Sequence, residues 1–305
     1  MDASELMYVA GKYVAPAEAA VSALDAGLLL GAGLFETLRT YGGAPFRLAR
    51  HLARLRVSGR FFRIFVGEKD SEIAAIIARL LEVNGLRDAR LRITATRGPL
   101  TEELEDDLAP RATLLVTAGP MTPYPPEFYQ YGATVVVSDI RTNETDPATF
   151  HKTTAYMTNL LVLRDAHRAK AAEALRFNTR NRLAEGTVSN VFLVREGRLL
   201  TPPVEDGLLA GVTRAAVLEL AARVGVPAEQ QSITINDLLE AEELFLTNSI
   251  MEIMPVIRFE QHEVGPKDDA AARGKPGPVT RRLAEAYKEL VARETGAAPD
   301  GGLAV

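Results

Sequence analysis

A proline-rich segment near position 120 most constrains how this 305-residue chain can fold. The segment, GPMTPYPPEFYQYG at 119–132, carries four prolines between apolar runs. Because proline cannot donate to a strand ladder and breaks a helix, no element should run through it. The chain is also too long for one small core. We therefore predict an interdomain linker at 121–131, an N-terminal α+β lobe at 1–120, a C-terminal lobe at 132–296 and a disordered small-residue tail at 297–305.

Helix-like and strand-like patterns alternate in both halves of the chain. Apolar residues at helical spacing predict helices at Leu48–Phe62, Ser71–Val83, Thr154–Lys170, Arg214–Val224 and Val279–Glu294. A hairpin is predicted at Met7–Val9 and Lys12–Val14. Further strands are predicted at Phe35–Tyr41, Arg90–Thr96, Thr113–Thr117, Thr134–Ile140, Ala174–Asn178, Asn190–Val194, Arg198–Leu200 and Leu244–Thr247. This intermixing predicts the α+β fold class.

The composition argues against several classes of function. A net charge of −5 and a pI near 5.6 give no basic surface for nucleic acid or an anionic membrane. There is no cysteine, which excludes disulfides and thiol chemistry and fits a reducing compartment. No signal peptide or apolar run of about 18 residues is visible, so we expect a cytoplasmic protein. The four histidines lack the paired spacing of a metal site, so no metal is expected.

Lys152 lies in the sequence His-Lys-Thr-Thr, just before an apolar, helix-like run. One interpretation is a solvated cation at the end of a helix. The other is a partly desolvated amine with a lowered pKa, which can form a Schiff base and move a proton. The lysine alone does not decide between these interpretations.

Three further segments place polar groups where chemistry can occur. Glu185 opens the run Glu-Gly-Thr-Val-Ser-Asn before an apolar strand, and is either a surface turn residue or a functional carboxylate. Gly211 precedes a predicted helix, whose first N–H groups either bind an anion or are capped locally. A later strand ends in Asn248 and Ser249, whose amide and hydroxyl groups can cradle an anion.

Taken together, these segments resemble the signature of class IV aminotransferases, the pyridoxal-phosphate enzymes of fold type IV. The matching elements are Glu185, Thr187 and Asn190-Val191-Phe192, then Leu199-x-Thr201, then Leu209-x-Gly211-Val212-x-Arg214. The resemblance implies a small N-terminal α/β lobe and a larger, cofactor-binding C-terminal lobe with a barrel-like sheet. It also implies the cofactor pyridoxal 5'-phosphate, a small-molecule amino substrate and a homodimer, since family members are usually dimers.

The resemblance also implies roles, position by position. Lys152 matches the lysine that carries the cofactor. Glu185 matches the carboxylate that faces the pyridine nitrogen and keeps it protonated, which strengthens the ring as an electron sink. Arg54 matches the arginine of the phosphate site, where the guanidinium fork suits the dianion. The remaining matches are the backbone of Val212 and Thr213 and the hydroxyl of Ser249 at the phosphate, and Leu209 on the ring face.

The resemblance leaves the reaction open. The family contains branched-chain and D-amino acid aminotransferases and also 4-amino-4-deoxychorismate lyase. The stretches GLFETLRTYGG at 33–43 and TNSIMEIMPV at 247–256 resemble bacterial lyases, so we predict the lyase, which serves folate synthesis. A branched-chain L-amino acid aminotransferase is the alternative. D-amino acid aminotransferases use an Arg-x-His pair, and here Arg97 is followed by Gly-Pro-Leu.

Four residues are candidates for substrate contact: Phe35, Arg97, Tyr156 and Asn248. Arg92 and Arg97 fall on a strand where the family often places groups for a substrate carboxylate. Because they lie five positions apart, strand alternation should point them to opposite faces, and Arg97 is the one favoured for the site. Tyr156 either reaches the cofactor hydroxyl or packs in the core. Asn248 stands where aminotransferases commonly have glycine or a hydroxyl residue.

Overall fold

The computed structural model of this chain describes residues 5–100 and 112–297. These residues form two units. One contains 5–100, 112–122, His151–Tyr156 and 293–297, and the other contains Pro123–Phe150 and Met157–Ala292. The predicted disordered tail lies, from residue 298 onwards, outside the described residues. Each unit is described by itself below.

The first unit is built on an antiparallel sheet. Its strands are β1 (Met7–Val9), β2 (Lys12–Val14), β3 (Gly33–Tyr41), β4 (Ala44–Pro45), β5 (Ala89–Thr96) and β6 (Thr113–Pro120). Its helices are α1 (Ala26–Leu30), α2 (Leu48–Phe62) and α3 (Asp70–Val83). The six strands lie in the order β2-β1-β6-β5-β3-β4, with β5 paired to β3 from Arg39↔Arg90 to Gly33↔Thr96.

Side-chain alternation gives this sheet its apolar face. In β5, Leu91, Ile93 and Ala95 are fully buried, whereas the residues between them are less buried. Helices α2 and α3 cover the face with residues such as Leu52 and Ile73. The predicted helices and strands of this unit are confirmed to within a few residues, because their periodic patterns are uninterrupted.

The segment His151–Tyr156 follows the first unit, although the sequence placed it in the C-terminal lobe. Thr153 forms a bridge with Leu34, and Thr154 N–H donates to the carbonyl of Gly33 (2.8 Å). This pairing with β3 keeps the segment out of helical geometry. The predicted helix at Thr154–Lys170 therefore begins only at Met157.

The second unit contains a larger mixed sheet. Its strands are β7 (Ala133–Val137), β8 (Glu173–Phe177), β9 (Leu183–Gly186), β10 (Asn190–Arg195), β11 (Arg198–Thr201), β12 (Ala228–Gln230), β13 (Glu243–Asn248), β14 (Glu252–Phe259) and β15 (His262–Glu263). Its helices are α4 (Pro126–Gln130), α5 (Met157–Arg168), α6 (Val212–Arg223), α7 (Ile235–Leu239) and α8 (Pro278–Thr295), the last residues of α8 being grouped with the first unit.

This sheet curls back on itself. Its strand order is β12-β11-β10-β13-β14-β7-β8-β9, with β15 paired to β14. Strand β9 ends the order, yet a short turn later the chain enters β10, near the other end. The sheet must therefore curl to bring β9 beside β10, and the predicted α+β fold with a barrel-like sheet is confirmed.

Strand β14 was not predicted from the sequence. Its central Pro255 lacks an N–H group, which argues against a strand with neighbours on both sides. Pairing with β7 begins only at Val256, so no donor is required from Pro255 on that side. Within the part of the chain that the structure describes, no helix is both long and apolar enough to cross a bilayer.

Candidate active site

Lys152 lies beside two aromatic rings of the first unit. Its carbonyl accepts a hydrogen bond from Phe35 N–H (2.9 Å), which fixes its segment along β3. Its Nζ lies 4.4 Å from the centre of the Phe35 ring and 5.7 Å from that of Tyr156. The two rings meet edge to face, with their centres 5.4 Å apart. The structure therefore brings together three of the predicted site residues.

Arg92 joins this cluster, which differs from the expectation for Arg97. The guanidinium carbon of Arg92 lies 3.9 Å from the centre of the Phe35 ring. Burial lowers the pKa of Arg92 from its usual value. Strand β5 ends at Thr96, so strand alternation does not extend to Arg97, whose backbone N–H donates to the carbonyl of Ala32. Arg92 is therefore the better placed cation for a carboxylate near Lys152.

Glu36 forms a buried charged cluster on β3 that sequence analysis missed. Arg54 donates from Nε (2.8 Å) and Nη2 (2.6 Å) to its carboxylate, and His51 Nδ1 lies 2.7 Å from the Oε2 atom. Burial alone would raise the pKa of Glu36, but Arg54 and His51 lower it to about 2. The only sequence signal was one carboxylate inside an otherwise apolar strand.

This cluster changes the interpretation of Arg54. The Nε and Nη2 edge that was expected to bind phosphate binds Glu36 instead. A phosphate would therefore be bound by another N–H group of the same guanidinium. Glu36 holds that guanidinium in a fixed orientation, because two parallel hydrogen bonds leave it little rotation.

Glu185 is held at the end of β9 by N–H donors of the second unit. Its Oε2 atom accepts hydrogen bonds from Asn190 Nδ2 (3.2 Å) and from the backbone of Leu209 (3.1 Å). Asn190 Nδ2 also donates to the Leu209 carbonyl (2.9 Å). Three residues of the sequence signature thus contact one another, as a carboxylate used for recognition requires.

The N-terminus of α6 follows directly. Gly211 is its N-cap residue and provides no side chain to cap it. A Cβ atom on Gly211 would lie 1.9 Å from Asn190 Oδ1, so glycine is required by this close approach. The N–H groups of Val212 and Thr213 lie in the first turn, where a helix offers them no internal acceptor. Such a terminus favours an anion.

Asn248 and Ser249 form a turn between β13 and β14. Asn248 Oδ1 accepts from the backbone of Ile250 and Met251 (2.8 Å each), and its Nδ2 donates to the Val188 carbonyl (3.1 Å). Asn248 was predicted to contact substrate, but these bonds show a structural role at both ends of its amide. The half-buried Ser249 follows it in the turn.

Two hydroxyl groups near Asn190 have no hydrogen-bond partner among the described residues: Ser189 Oγ and Thr247 Oγ1, both buried. Thr247 is the cross-strand neighbour of Asn190 in the pairing of β13 with β10. Buried polar atoms without partners are rare in proteins and suit a polar ligand. Together with the Glu185 carboxylate and the open end of α6, they fit a phosphorylated, nitrogen-containing ring. The described residues include no group of three or more metal-binding side chains.

Known proteins share this sequence and fold. The family model for amino-transferase class IV matches residues 33–259. The chain is 33% identical over 284 residues (93% of it, 96% of the relative) to a Methanocaldococcus jannaschii protein named "Putative branched-chain-amino-acid aminotransferase". It is 29% identical to a D-alanine aminotransferase of Bacillus licheniformis (93% and 96%) and 30% identical to an aminodeoxychorismate lyase of Bacillus subtilis (94% and 94%).

A solved structure agrees. A branched-chain amino acid aminotransferase of the organism abbreviated T.th., solved with pyridoxamine 5'-phosphate, superposes with a TM-score of 0.86 at 28% identity, covering 97% of this chain and 96% of that one. The chain belongs to the class IV aminotransferase family. It is thus a pyridoxal-phosphate-dependent enzyme, which confirms the family, the enzyme class and the cofactor expected from the sequence.

Proposed function

We propose that this enzyme is a 4-amino-4-deoxychorismate lyase, which releases pyruvate from its substrate and leaves 4-aminobenzoate. The observation that carries the proposal is the surrounding of Lys152 Nζ, where two aromatic rings and the Arg92 guanidinium converge. Phe35 and Tyr156 can pack against a cyclic substrate, and Arg92 can bind its carboxylate. The similarity to the Bacillus subtilis lyase over 94% of the chain supports the same function.

The site residues then have the following roles. Lys152 carries the cofactor and moves the substrate proton. Pyridoxal phosphate, when bound, supplies a ring that withdraws electrons from the substrate. Glu185 holds a proton at the pyridine nitrogen, for which its N–H donors orient it. The phosphate is bound by Arg54, Val212, Thr213 and Ser249, and Leu209 packs on the ring.

A second candidate is amino transfer to branched-chain keto acids. It is favoured by the 33% identity to the Methanocaldococcus jannaschii protein and by the solved branched-chain aminotransferase. An aliphatic side chain also fits beside Phe35 and Tyr156, and Arg92 would then bind the carboxylate of the amino acid. The two candidates differ in their products and in whether a second substrate is needed.

Product analysis of the purified enzyme separates the two candidates. One sample receives 4-amino-4-deoxychorismate alone, and a second receives L-leucine with 2-oxoglutarate. The lyase forms equal amounts of pyruvate and 4-aminobenzoate in the first sample and no glutamate in the second. Glutamate in the second sample with no pyruvate in the first would replace the lyase by the aminotransferase.

Arg92→Gln is expected to weaken substrate binding. Loss of a charged hydrogen-bond donor to a carboxylate should raise KM by about 10- to 100-fold with a smaller change in kcat. Arg97→Gln is the matched control and should change KM by less than about threefold, since surface substitutions away from a site have small effects. Steady-state kinetics measures both variants. A larger KM rise for Arg97→Gln would return the carboxylate site to Arg97.

We also propose that the enzyme is a homodimer that buries an apolar surface of the first unit. Leu28 and Leu30 of α1 are 69% and 65% exposed, and Phe61 of α2 is 56% exposed. Clusters of large exposed apolar side chains commonly mark interfaces. Sedimentation should give twice the 33.0 kDa chain mass. Leu28→Asp should shift the enzyme to monomer, whereas Val83→Asp, at an exposed site of α3, should not. A wild-type monomer would contradict the proposal.

A further inference from the structure

The turn that follows Glu185 is held at both its N–H and its carbonyl groups. The turn joins β9 to β10, and Gly186 N–H donates to the Ser189 carbonyl (2.7 Å). Asn159 Nδ2 donates to the Thr187 carbonyl (2.6 Å), and Asn248 Nδ2 donates to the Val188 carbonyl. The conformation of residues 186–189 is therefore fixed by side chains from α5 and β13.

The N–H side of this turn rests on Glu173, the first residue of β8. One carboxylate oxygen of Glu173 accepts from the backbone and the hydroxyl of Thr187 and from the backbone of Val188 (3.2 Å). A Cβ atom on Gly186 would lie 2.8 Å from that oxygen, so the turn packs directly on the carboxyl group. Three donors from two adjacent residues thus converge on one oxygen.

Glu173 is an unusual group to bury. It is 1% exposed, and burial raises its pKa to about 7 despite the hydrogen bonds from Thr187 and Val188, which lower it. Burying a carboxyl group costs free energy that only its hydrogen bonds offset. An apolar side chain would fill the same space without this cost, but it could not bind the N–H groups of the turn. The cost is therefore tied to holding the turn.

The turn is continuous with the residue that it positions. Glu185 pairs with Arg176 of β8 and Gly186 pairs with Leu175, so Glu185 and Glu173 lie on the same pair of strands. Asn190, at the other end of the turn, donates to Glu185. A shift of the turn backbone would move both the Glu185 carboxylate and one of its donors.

We propose that Glu173 is a positioning residue for the cofactor site: it clamps the turn at Thr187 and Val188 and so sets the orientation of Glu185. This inference rests on the proposed role of Glu185 toward the pyridine nitrogen. Glu173 does not touch the cofactor. It acts through the backbone of the turn, as a hydrogen-bond acceptor.

The chain offers a matched control in Glu243, the first residue of β13. Its carboxylate accepts from Val279 N–H (2.9 Å), Thr280 N–H (2.7 Å) and Thr280 Oγ1 (2.6 Å) at the start of α8. It is buried too, and it binds the same kinds of donor. It lies at the opposite end of β13 from the turn of Asn248. A purely structural cost of losing a buried acceptor should be alike for both.

The experiment measures the affinity of the apoenzyme for pyridoxal phosphate, together with its thermal stability. Glu173→Leu should weaken the affinity by about tenfold or more, the loss expected when several buried hydrogen bonds are removed. Glu243→Leu should lower the melting temperature similarly and change the affinity by less than about threefold. Glu173→Gln, which keeps an acceptor oxygen, should restore most of the affinity. Equal losses of affinity in the two leucine variants would overturn the proposal.

Two further variants complete the test. Thr187→Val removes one of the three donors, and it should weaken cofactor affinity less than Glu173→Leu does, which serves if the leucine variant does not fold. In a Glu185→Gln background, Glu173→Leu should add little, because both changes act through one carboxylate. Full additivity would overturn the positioning role. If Glu185→Gln alone leaves cofactor affinity and absorbance unchanged, it is the proposed role of Glu185 that fails.

Discussion

Lys152→Ala is expected to abolish turnover and the covalent attachment of pyridoxal phosphate. The amine can both attach to the cofactor aldehyde and move a proton, so turnover should fall by about 1000-fold or more without it. The fold should remain, because Lys152 contributes to β3 through its carbonyl, which alanine retains. Borohydride reduction followed by peptide mass analysis measures the attachment directly. The wild-type peptide that contains residue 152 should carry the cofactor mass.

The exposed Lys12 of β2 provides the control. Lys12→Ala should retain the labelled peptide and the wild-type rate, which shows that loss of a lysine in the first unit is not itself harmful. Circular dichroism and the melting temperature of Lys152→Ala should match those of wild type. Cofactor mass on any other lysine of the reduced wild-type enzyme, or near-normal turnover in Lys152→Ala, would remove Lys152 from its proposed role.

Local patterns in the sequence predicted the elements that depend on local patterns. Helix α2 begins and ends as predicted, since its apolar residues keep helical spacing throughout. The helix after Lys152 was predicted three residues too early, because the pairing of Thr153 with Leu34 is a contact between distant parts of the chain. Strand β14 was missed because the consequence of Pro255 depends on which neighbour pairs at that position.

The same distinction applies to the candidate site. Residues within the family signature were found because the signature fixes their spacing, and Glu185, Asn190 and Leu209 do contact one another. Glu36 and Glu173 were missed, because a lone buried carboxylate gives no periodic signal. Their partners lie at least 14 residues away in sequence. The choice between Arg92 and Arg97 depended on where β5 ends, which alternation alone cannot give.

Glu36→Gln is expected to destabilise the enzyme strongly at neutral pH. The variant removes a buried carboxylate charge that faces Arg54 and His51, and breaking a buried ion pair typically costs about 3–5 kcal/mol of unfolding free energy. The exposed pair of Arg56 and Asp70 (2.9 Å) is the control. Asp70→Asn should cost less than about 1 kcal/mol, because solvent screens a surface pair. Urea unfolding at pH 7 compares the two variants.

The pH dependence of this loss tests its electrostatic origin. The pKa of Glu36 is about 2 in the folded enzyme, below its ordinary value of 4.5, so its ionised form stabilises the fold. That stabilisation, about 3 kcal/mol for a shift of this size, is fully present above pH 4.5 and is lost as pH falls towards 2. The difference in unfolding free energy between wild type and Glu36→Gln should therefore shrink over this range. Glu173 acts in the opposite direction: its pKa is raised to about 7, so its contribution to stability falls as pH rises from 4.5 to 7. A difference between wild type and Glu36→Gln that stays constant down to pH 2 would show that packing, and not charge, holds Glu36 in place.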